Sequence, residues 1–530
     1  MEIKSRKQGF LQGALIIAVA NLLVKVIGAV YKIPLRRFIL GPDGMGIYGA
    51  SYNIYNVLFV VATAGLPVAI SKMISESIAK DNFAEAGKIY KVARMVLLVI
   101  GLIGSIVLLA GATLFSAYLK TEAARLGIMA LSPCIFFVAV MSVYRGFNQG
   151  MSNMVPTAIS EVIEACGKLI LGLVLAYVLL PFGKPVSAAG AILGVSTGAF
   201  LSAVYLFVNQ RRLNRELKAR IKETGKTETS SNRQIFARLI RLAVPITIGA
   251  SVFTLASFID LMMIMRQLAA LGFDENTRVT LYGYYSTDAV TMFNLPPTVI
   301  TALCISIVPA IASAMVKGDR MGARKTTETA IRMTFMFALP CGVGMSVLSG
   351  PILTTVMGDA GAQTLLSILA YGSIFVSVVM ISNSILQSLG KVWLPVIHMF
   401  IGGAVKVVVN YILVGNIDIN INGAPIGTNC CYLVTLALNL MAIHRCIKPN
   451  YGWGFTLKSV FSAAVMGVVA YFVNDALAGV LGTTLALAVA IVVAGIMYFA
   501  LLIFTKAIRK QDVLAMPKSE KILKFLGRFI

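Results

Sequence analysis

The sequence predicts an all-α membrane protein with about fourteen transmembrane helices. Of its 530 residues, 58% are hydrophobic and 13% are charged, and the mean hydropathy is +0.85. Soluble domains contain roughly 25% charged residues, so this composition excludes a large soluble enzyme. Apolar stretches of about 18 or more residues recur along the whole chain, and each is long enough to cross a bilayer core of about 30 Å.

Polar breaks divide the apolar sequence into fourteen predicted spans. The spans are 10–34, 47–74, 92–117, 126–149, 155–180, 187–209, 238–265, 283–315, 331–356, 362–388, 393–414, 424–444, 455–474 and 481–505. Of the 46 Lys and Arg residues, seven lie in odd-numbered loops, namely Arg36, Arg37, Lys120, Arg125, Lys184, Arg266 and Arg278. Because cytoplasmic loops are enriched in Lys and Arg, both termini are predicted to be cytoplasmic.

Basic residues are also concentrated outside the spans, where they favour a membrane partner over nucleic acid. The largest cluster runs from Arg211 to Arg241, and no aromatic side chain that could stack on a base lies between Arg211 and Arg233. Anchoring to anionic lipid explains this cluster more simply. Residues 516–530 place basic and apolar side chains on different faces, which predicts an interfacial amphipathic helix. No nucleic-acid partner is expected.

The chain is predicted to contain an internal repeat. Lys168 and Lys406 are 238 residues apart in similar surroundings, and Gly190 and Gly194 have counterparts in Gly423 and Gly427. Repeats of six spans each insert with the same orientation, and substrate then binds between the two lobes. The predicted domains are an N-lobe (1–215), a basic linker (216–233), a C-lobe (234–449), spans 13 and 14 (450–510) and a basic tail (511–530).

Polar residues on the first span form a candidate binding face. Asn21, Lys25, Gly28 and Lys32 follow one another at spacings of four, three and four, which places them on one side of a helix. A charge at mid-bilayer costs at least about 2.5–3.5 kcal/mol, so it normally faces protein or a wet cavity. Cavity lining is therefore predicted for Asn21, Lys25 and Lys32; for Lys32, snorkelling to the outer interface is the alternative.

Further charged residues lie inside predicted spans 4, 5 and 11. Glu161, Glu164 and Lys168 share one face of span 5, and the last two have the i,i+4 spacing of a helical ion pair. Such a pair would let the helix insert, whereas cavity lining would make these residues part of the binding site. Lys406 is the counterpart of Lys168, and Arg145 lies near the cytoplasmic end of span 4. Both are candidate cavity residues.

Two aspartates and two proline motifs complete the candidate site. Asp260 in span 7 and Asp288 in span 8 are expected either to pair with lysines or to bind a coupling cation. Consecutive prolines remove backbone donors, so the segment Asn294 to Pro297, with Pro296 and Pro297, should break span 8. Asn294 is assigned to the cavity, and the two prolines are assigned as hinges. Gly65 and Pro67 are assigned the same hinge role in span 2.

Motifs for other chemistry are absent from the sequence. The seven cysteines and two histidines follow no metal-ligand spacing. Gly225-Lys226-Thr227 imitates the end of a phosphate-binding loop, but Arg220 stands where its first glycine is required. The prediction is therefore a protein that is not an enzyme, with no cofactor, no metal and no use of ATP. Coupling to the membrane potential or to a monovalent cation is left open.

Motifs in spans 1, 2 and 8 resemble a known superfamily, the multidrug/oligosaccharidyl-lipid/polysaccharide exporters. The motifs are Lys25-Val26-Ile27-Gly28, Gly41-Pro42-Asp43-Gly44-Met45-Gly46-Ile47-Tyr48, Gly65-Leu66-Pro67 with Ser71-Lys72, and Tyr284-Tyr285 with Asp288 and Phe293. The pattern is similar to the polysaccharide-transport and stage V sporulation protein B branch, and less closely to the MurJ lipid II flippases. Two six-span lobes plus two further spans is also the MurJ arrangement.

The resemblance implies a flippase of the bacterial plasma membrane. Its substrate would be a polyprenyl-diphosphate-linked sugar, lipid II first, bound by basic residues in a cavity, with a groove beside spans 13 and 14 for the lipid tail. Lys25 matches a first-span arginine of MurJ, but the second-span arginine has no counterpart here, and Ala289 stands where MurJ commonly has arginine. Cell-wall synthesis enzymes are possible partners on this hypothesis.

Several other functions remain open from the sequence. Within the superfamily they are a flippase for another lipid-linked polysaccharide or teichoic acid unit, and a cation-coupled multidrug exporter, which would be dominated by Asp260, Asp288 and Glu161. In other classes they are a membrane glycosyltransferase or polymerase, for which no acidic pair is found at the outer face, and a non-transporting scaffold.

Overall fold

The computed structural model describes residues 10–224, 229–451 and 453–507, and these residues form helices joined by turns and short loops, with no strand among them. The predicted all-α fold class is confirmed. The basic N-terminal residues Lys4, Arg6 and Lys7 and the predicted tail 511–530 lie outside the described residues.

Ten helical segments of the described residues are long and apolar enough to cross a membrane. Two of them, Val19–Ala79 and Gly454–Phe504, each cover two predicted spans. The predicted spans 238–265 and 283–315 lie on further helices. All fourteen predicted spans therefore fall on helix, and the chain is a multi-pass membrane protein.

Packing divides the chain into two units. Unit 1 runs up to Ala269 and also includes Phe273–Gly283. Unit 2 comprises residues 270–272 and the chain from Tyr284 onward. The helices of unit 1 are α1 (Phe10–Pro34), α2 (Gly41–Thr63), α3 (Gly65–Ala79), α4 (Phe83–Tyr118), α5 (Arg125–Gly150), α6 (Val155–Leu179), α7 (Lys184–Thr224), α8 (Asn232–Ala270) and α9 (Glu275–Gly283). Most of the predicted linker 216–233 is thus helix, because its charged, glycine-free sequence up to Thr224 continues α7 beyond the apolar stretch.

The main part of unit 2 starts with a π-helical turn, Tyr284–Ala289, which the sequence did not predict. The helices that follow are α10 (Val290–Phe293), α11 (Leu295–Val316), α12 (Arg320–Val347), α13 (Ser349–Met357), α14 (Gln363–Ser388), α15 (Leu394–Val414), α16 (Gly423–Ile447) and α17 (Trp453–Phe504). The predicted division into repeats within 1–449 stays a prediction, since the two packing units are defined by contacts rather than by sequence similarity.

Side-chain caps set the starts of three helices. The Asn82 side chain accepts a hydrogen bond from the Glu85 amide, 2.9 Å away, and Asp319 accepts one from the Gly322 amide at 2.8 Å. These caps begin α4 and α12, which hold matching places in the predicted repeat. At α8, Ser231 and Gln234 cap each other reciprocally. Each cap satisfies amides that have no partner within the helix.

Both predicted proline breaks are present in the structure. Helix α2 ends at Thr63 and α3 begins at Gly65, so the chain bends at Ala64. Helix α10 ends at Phe293, and Asn294 precedes α11, which has prolines in its first turn. Prolines fit a first turn because the amides there lack helical partners. The movement implied by a hinge stays a prediction.

Helix α17 consists of two antiparallel spans. Gly482, with φ 75° and ψ 162°, interrupts its helical backbone. The predicted break between residues 474 and 481 was therefore placed too early; glycine tolerates this positive φ, whereas other residues rarely do. At its two ends, Phe455 and Ala507 both contact Arg332 of α12. The ends of the hairpin therefore lie on the same side.

Glycines bring α6 and α7 into close backbone contact. A Cβ at Gly190 would lie 2.8 Å from the carbonyl oxygen of Leu175, and a Cβ at Gly194 would collide with the backbone of Gly172. Small residues at this spacing let membrane helices approach closely. The contact fixes the orientation of α6, which carries Glu161, Glu164 and Lys168.

The same packing recurs in unit 2. Gly423 of α16 lies against Leu413 of α15, and Gly427 lies against Asn410. These two α15 positions follow Leu175 and Gly172 by 238 residues, the separation of Lys168 and Lys406. The repeat seen in sequence therefore corresponds to a repeated helix–helix contact.

This contact gives a first testable prediction. Gly194→Ala should lower thermal stability in detergent, because overpacking a close contact costs about 1–3 kcal/mol. Gly403→Ala on α15 is the matched control, since no atom lies within 4 Å of a Cβ there. Its melting temperature should stay the same or rise slightly, as alanine favours helix. Equal effects of the two substitutions would contradict the packing role.

Candidate substrate-binding site

The polar face of α1 is left uncovered by unit 1. Asn21 and Lys25 are exposed and Lys32 is partly exposed, whereas the adjacent Tyr31 is fully buried. A Cβ at Gly28 would have no atom within 4 Å. The cavity lining predicted for Asn21, Lys25 and Lys32 stays a prediction.

Lys168 lies in a cage of tyrosine rings. Its Nζ is 5.0 Å from the ring centre of Tyr31 on α1 and 4.9 Å from that of Tyr52 on α2. Tyr48 stacks on Tyr52, with ring centres 5.6 Å apart. Cation–π contacts at such distances hold an ammonium group without neutralising its charge. Within the described residues, no carboxylate forms an ion pair with Lys168.

The tyrosines belong to an aromatic stripe along α2 that sequence reasoning missed. The rings of Tyr48, Tyr52, Tyr55 and Phe59 pack against one another in succession, with neighbouring ring centres 5.4–5.6 Å apart. Their spacings of four, three and four residues mark one helix face. That regular spacing was the available signal, but a stripe of this kind predicts core packing as readily as a cation cage.

Glu164 pairs with Arg145 of α5, which corrects the predicted ion pair with Lys168. Arg145 Nη2 donates to Glu164 Oε2 at 2.9 Å, and its Nε donates to Ser160 Oγ at 2.9 Å. The i,i+4 spacing on α6 permits a pair between Glu164 and Lys168. Instead, Glu164 binds the guanidinium of Arg145 on the neighbouring helix α5, and the Lys168 ammonium lies against tyrosine rings. Glu161, one turn earlier, is partly exposed and interacts electrostatically with Arg145.

The charged candidates on other helices are more buried. Lys406 on α15 is 8% exposed, Asp260 on α8 is 5% exposed, and Asp288 in the π-helical turn is 0% exposed. The π-helical turn also holds Tyr285, whose hydroxyl hydrogen-bonds Thr428 of α16 at 3.0 Å. The two aspartates interact with other groups, so the choice between pairing and cation binding stays as predicted.

The residues assigned to the two proline breaks differ in how far they are exposed. Asn294 is exposed, and its amide donates to the Val290 carbonyl at 2.8 Å. Gly65 is buried against α8, while Pro67 lies beneath Gly146 of α5. Pro296 and Pro297 are buried at the start of α11.

The structure brings together Arg145, Glu161, Glu164 and Lys168 in unit 1.

Unit 2 contains an apolar groove of about 560 Å³. Its walls are formed by α12, α14 and the first half of α17. The lining is aliphatic and aromatic; it includes Leu339, Val343, Tyr371, Val468, Tyr471 and Phe472. This size lies in the range of small-molecule sites, and the lack of polar lining suits a hydrocarbon chain.

Arg332 holds the hairpin that forms one wall of the groove. It is 6% exposed, its guanidinium lies 4.5 Å from the Phe455 ring centre, and it donates to the Ala507 carbonyl at 3.2 Å. Its repeat counterpart in unit 1, Arg94, is exposed and lies over Tyr90 of its own helix at 5.7 Å. The extra hairpin therefore accounts for the burial of Arg332.

Arg332→Ala should destabilise the protein, whereas Arg94→Ala should have little effect. A desolvated cation–π contact contributes about 2 kcal/mol, and an exposed one about 0.5–1 kcal/mol. Thermal unfolding in detergent measures both variants. A melting temperature of the Arg332 variant no lower than that of the Arg94 variant would contradict the anchoring role.

Among the described residues, no group of three or more His, Cys, Asp or Glu could hold a metal ion. The seven cysteines are free. Unit 1 offers cationic groups held by aromatic and carboxylate neighbours, and unit 2 offers an apolar groove.

The known proteins that resemble this chain agree with a membrane protein that has these cationic and apolar features. The family model Polysaccharide biosynthesis protein matches residues 10–315, and the model MatE matches residues 287–412. Stage V sporulation protein B of Bacillus subtilis (strain 168) is 24% identical over 522 residues, covering 96% of this chain and 98% of that protein. Lipid II flippase MurJ of the same organism is 26% identical over 485 residues, covering 86% and 87%.

A solved structure shows a related fold. Lipid II flippase MurJ in its inward closed conformation superposes with a TM-score of 0.68 and 14% sequence identity. The match covers 93% of this chain and 99% of that one. At this level of identity, the likeness shows the fold alone.

Proposed function

Because the chain belongs to the polysaccharide biosynthesis protein family, within the multidrug/oligosaccharidyl-lipid/polysaccharide exporter superfamily, we propose that it flips a polyprenyl-diphosphate-linked sugar precursor across the membrane. The predicted superfamily is confirmed, and the chain is a transporter rather than an enzyme. Within the proposal, lipid II is the first candidate substrate, and it moves from the cytoplasmic to the outer leaflet.

The proposal rests on the surroundings of Lys168, whose ammonium group contacts tyrosine rings rather than a carboxylate. An ammonium group inside a membrane span is costly and marks a functional site when it is not neutralised. Tyrosine rings hold Lys168, while the nearest carboxylate on its helix, Glu164, is occupied by Arg145. This leaves positive charge for a phosphate group. Lys25, exposed on α1, supplies a second cation.

The apolar groove supports the lipid part of the substrate. A polyprenyl chain is a long hydrocarbon, and burying each of its CH₂ groups contributes about 0.8 kcal/mol. The groove residues on α12, α14 and α17 present aliphatic and aromatic surface for it. A diphosphate head and a polyprenyl tail match the two kinds of surface that the chain offers.

The proposed mechanism is alternating access between two lobes, which the internal repeat favours. Basic residues, Lys25 and Lys32 first, take the diphosphate at the cytoplasmic leaflet, and the lobes then expose it outside. An inside-negative potential favours outward movement of the anionic head by roughly 2.3 kcal/mol per charge per 100 mV.

The test uses the purified protein in liposomes that contain a fluorescent lipid II analogue, with a membrane-impermeant quencher outside. The protein should make inner-leaflet analogue accessible to the quencher, and an unlabelled polyprenyl-diphosphate sugar should compete. Transport of a cationic dye with no movement of the analogue would overturn the proposal in favour of a drug exporter. Movement of another polyprenyl-linked glycan in preference to lipid II would change the substrate but keep the mechanism.

A further inference from the structure

Glu161 of α6 has a carboxylate oxygen in an unusual position. Its Oε2 is buried and, among the described residues, accepts no hydrogen bond. The side chain as a whole remains partly exposed. An ionised carboxylate in this position would leave a buried charged oxygen without a donor, which is electrostatically unfavourable.

The neighbouring guanidinium is already engaged elsewhere. Arg145 donates its Nη2 to Glu164 and its Nε to Ser160, both at 2.9 Å. Lys168 lies two helical turns from Glu161 and is held by tyrosine rings. The Arg145 guanidinium therefore lies near the carboxylates of both Glu161 and Glu164, and its hydrogen bond pairs it with Glu164.

Other titratable groups on the helices packed against α6 do not change this assignment. They include Lys25 and Lys32 on α1, Tyr205 on α7 and Lys168 on α6 itself. The charged groups that act on Glu161 are Arg145 and Glu164. Binding a proton removes the charge that has no donor, and partial exposure of the side chain allows the proton to exchange.

We propose that Glu161 is a proton-binding site whose carboxyl carries a proton in this conformation. With both glutamates ionised, their charges cancel those of Arg145 and Lys168. A proton on Glu161 leaves one net positive charge, which favours an anionic head group. Because linkage is reciprocal, binding of the anion promotes proton uptake, and affinity for the anion falls as the pH rises and Glu161 ionises.

The first experiment needs only the full-length protein. Infrared spectra near neutral pH should contain a carbonyl band of a protonated carboxyl group that Glu161→Gln removes. Glu161→Asp should retain the band, which separates loss of the carboxyl from misfolding. Glu122→Gln, at an exposed position, is the control and should keep the band. A band that persists at full intensity in Glu161→Gln would overturn the proposal.

The second experiment tests the link to substrate and rests on the proposed function. Binding of a polyprenyl diphosphate to the detergent-solubilised protein is measured across pH. The wild type should lose about tenfold in affinity from low to high pH, while Glu161→Gln should bind with little pH dependence. Unchanged pH dependence in the variant would overturn the linkage. Absence of binding by every variant at every pH would count against the proposed function, and the infrared result would stand.

Discussion

Replacement of Lys25 by alanine is expected to reduce transport of the lipid-linked precursor about ten- to hundredfold. A charge-assisted hydrogen bond contributes about 1.5–3 kcal/mol, and each 1.4 kcal/mol is about a tenfold change in binding. Lys25 is exposed on the polar face of α1, where its removal disturbs little packing. The liposome quenching assay measures the rate as a function of precursor concentration.

Two variants control this experiment. Lys25→Arg keeps the positive charge and should retain most of the activity. Lys184→Ala removes another exposed lysine, one at the start of α7 that pairs with Asp43 of α2 at 2.7 Å, and should transport normally. A Lys25→Ala protein that is as abundant, as stable and as active as the wild type would remove Lys25 from the site.

The fold was predictable because the bilayer imposes simple rules on a chain. Every backbone donor must be satisfied within hydrocarbon, so long apolar stretches become helices. The proline breaks predicted around Gly65 and Asn294 also correspond to helix ends. The break in α17 was misplaced because Asn474 and Asp475 mark a polar interruption in sequence, while the backbone turns at Gly482.

The partners of the charged residues were less predictable. Spacing along α6 joins Glu164 to Lys168, but contacts between helices decide which cation takes the carboxylate. Arg145 reaches Glu164 because α5 passes beside α6 at this level. The tyrosine cage of Lys168 likewise draws on α1 and α2. Neither contact has a signature within one segment of sequence.

The π-helical turn at Tyr284–Ala289 was also beyond sequence reasoning. Such turns insert one residue into a helix and are frequent at functional sites. Here the turn precedes the Asn294 break and contains the fully buried Asp288. Two irregularities in one span are consistent with a functional segment, since irregular backbone at membrane depth is tolerated where it borders protein or a cavity.

The second large effect is expected from filling the apolar groove. Ala464→Trp places a bulky side chain at an exposed position of the groove lining. If the groove receives the polyprenyl chain, several CH₂ groups lose their contacts, at about 0.8 kcal/mol each. Transport of a long-chain precursor should then fall at least tenfold. A precursor with a tail of two isoprene units should be affected much less, because it makes few of these contacts.

The matched control is Val492→Trp, in the second half of α17, where the side chain is 60% exposed and does not line the groove. It adds the same indole to the same hairpin, so it controls for expression and insertion, and it should transport both precursors normally. The decisive quantity is the ratio of long-chain to short-chain transport rates. An unchanged ratio in Ala464→Trp would separate the groove from the lipid tail, because a substrate chain lying elsewhere would not sense a side chain placed there.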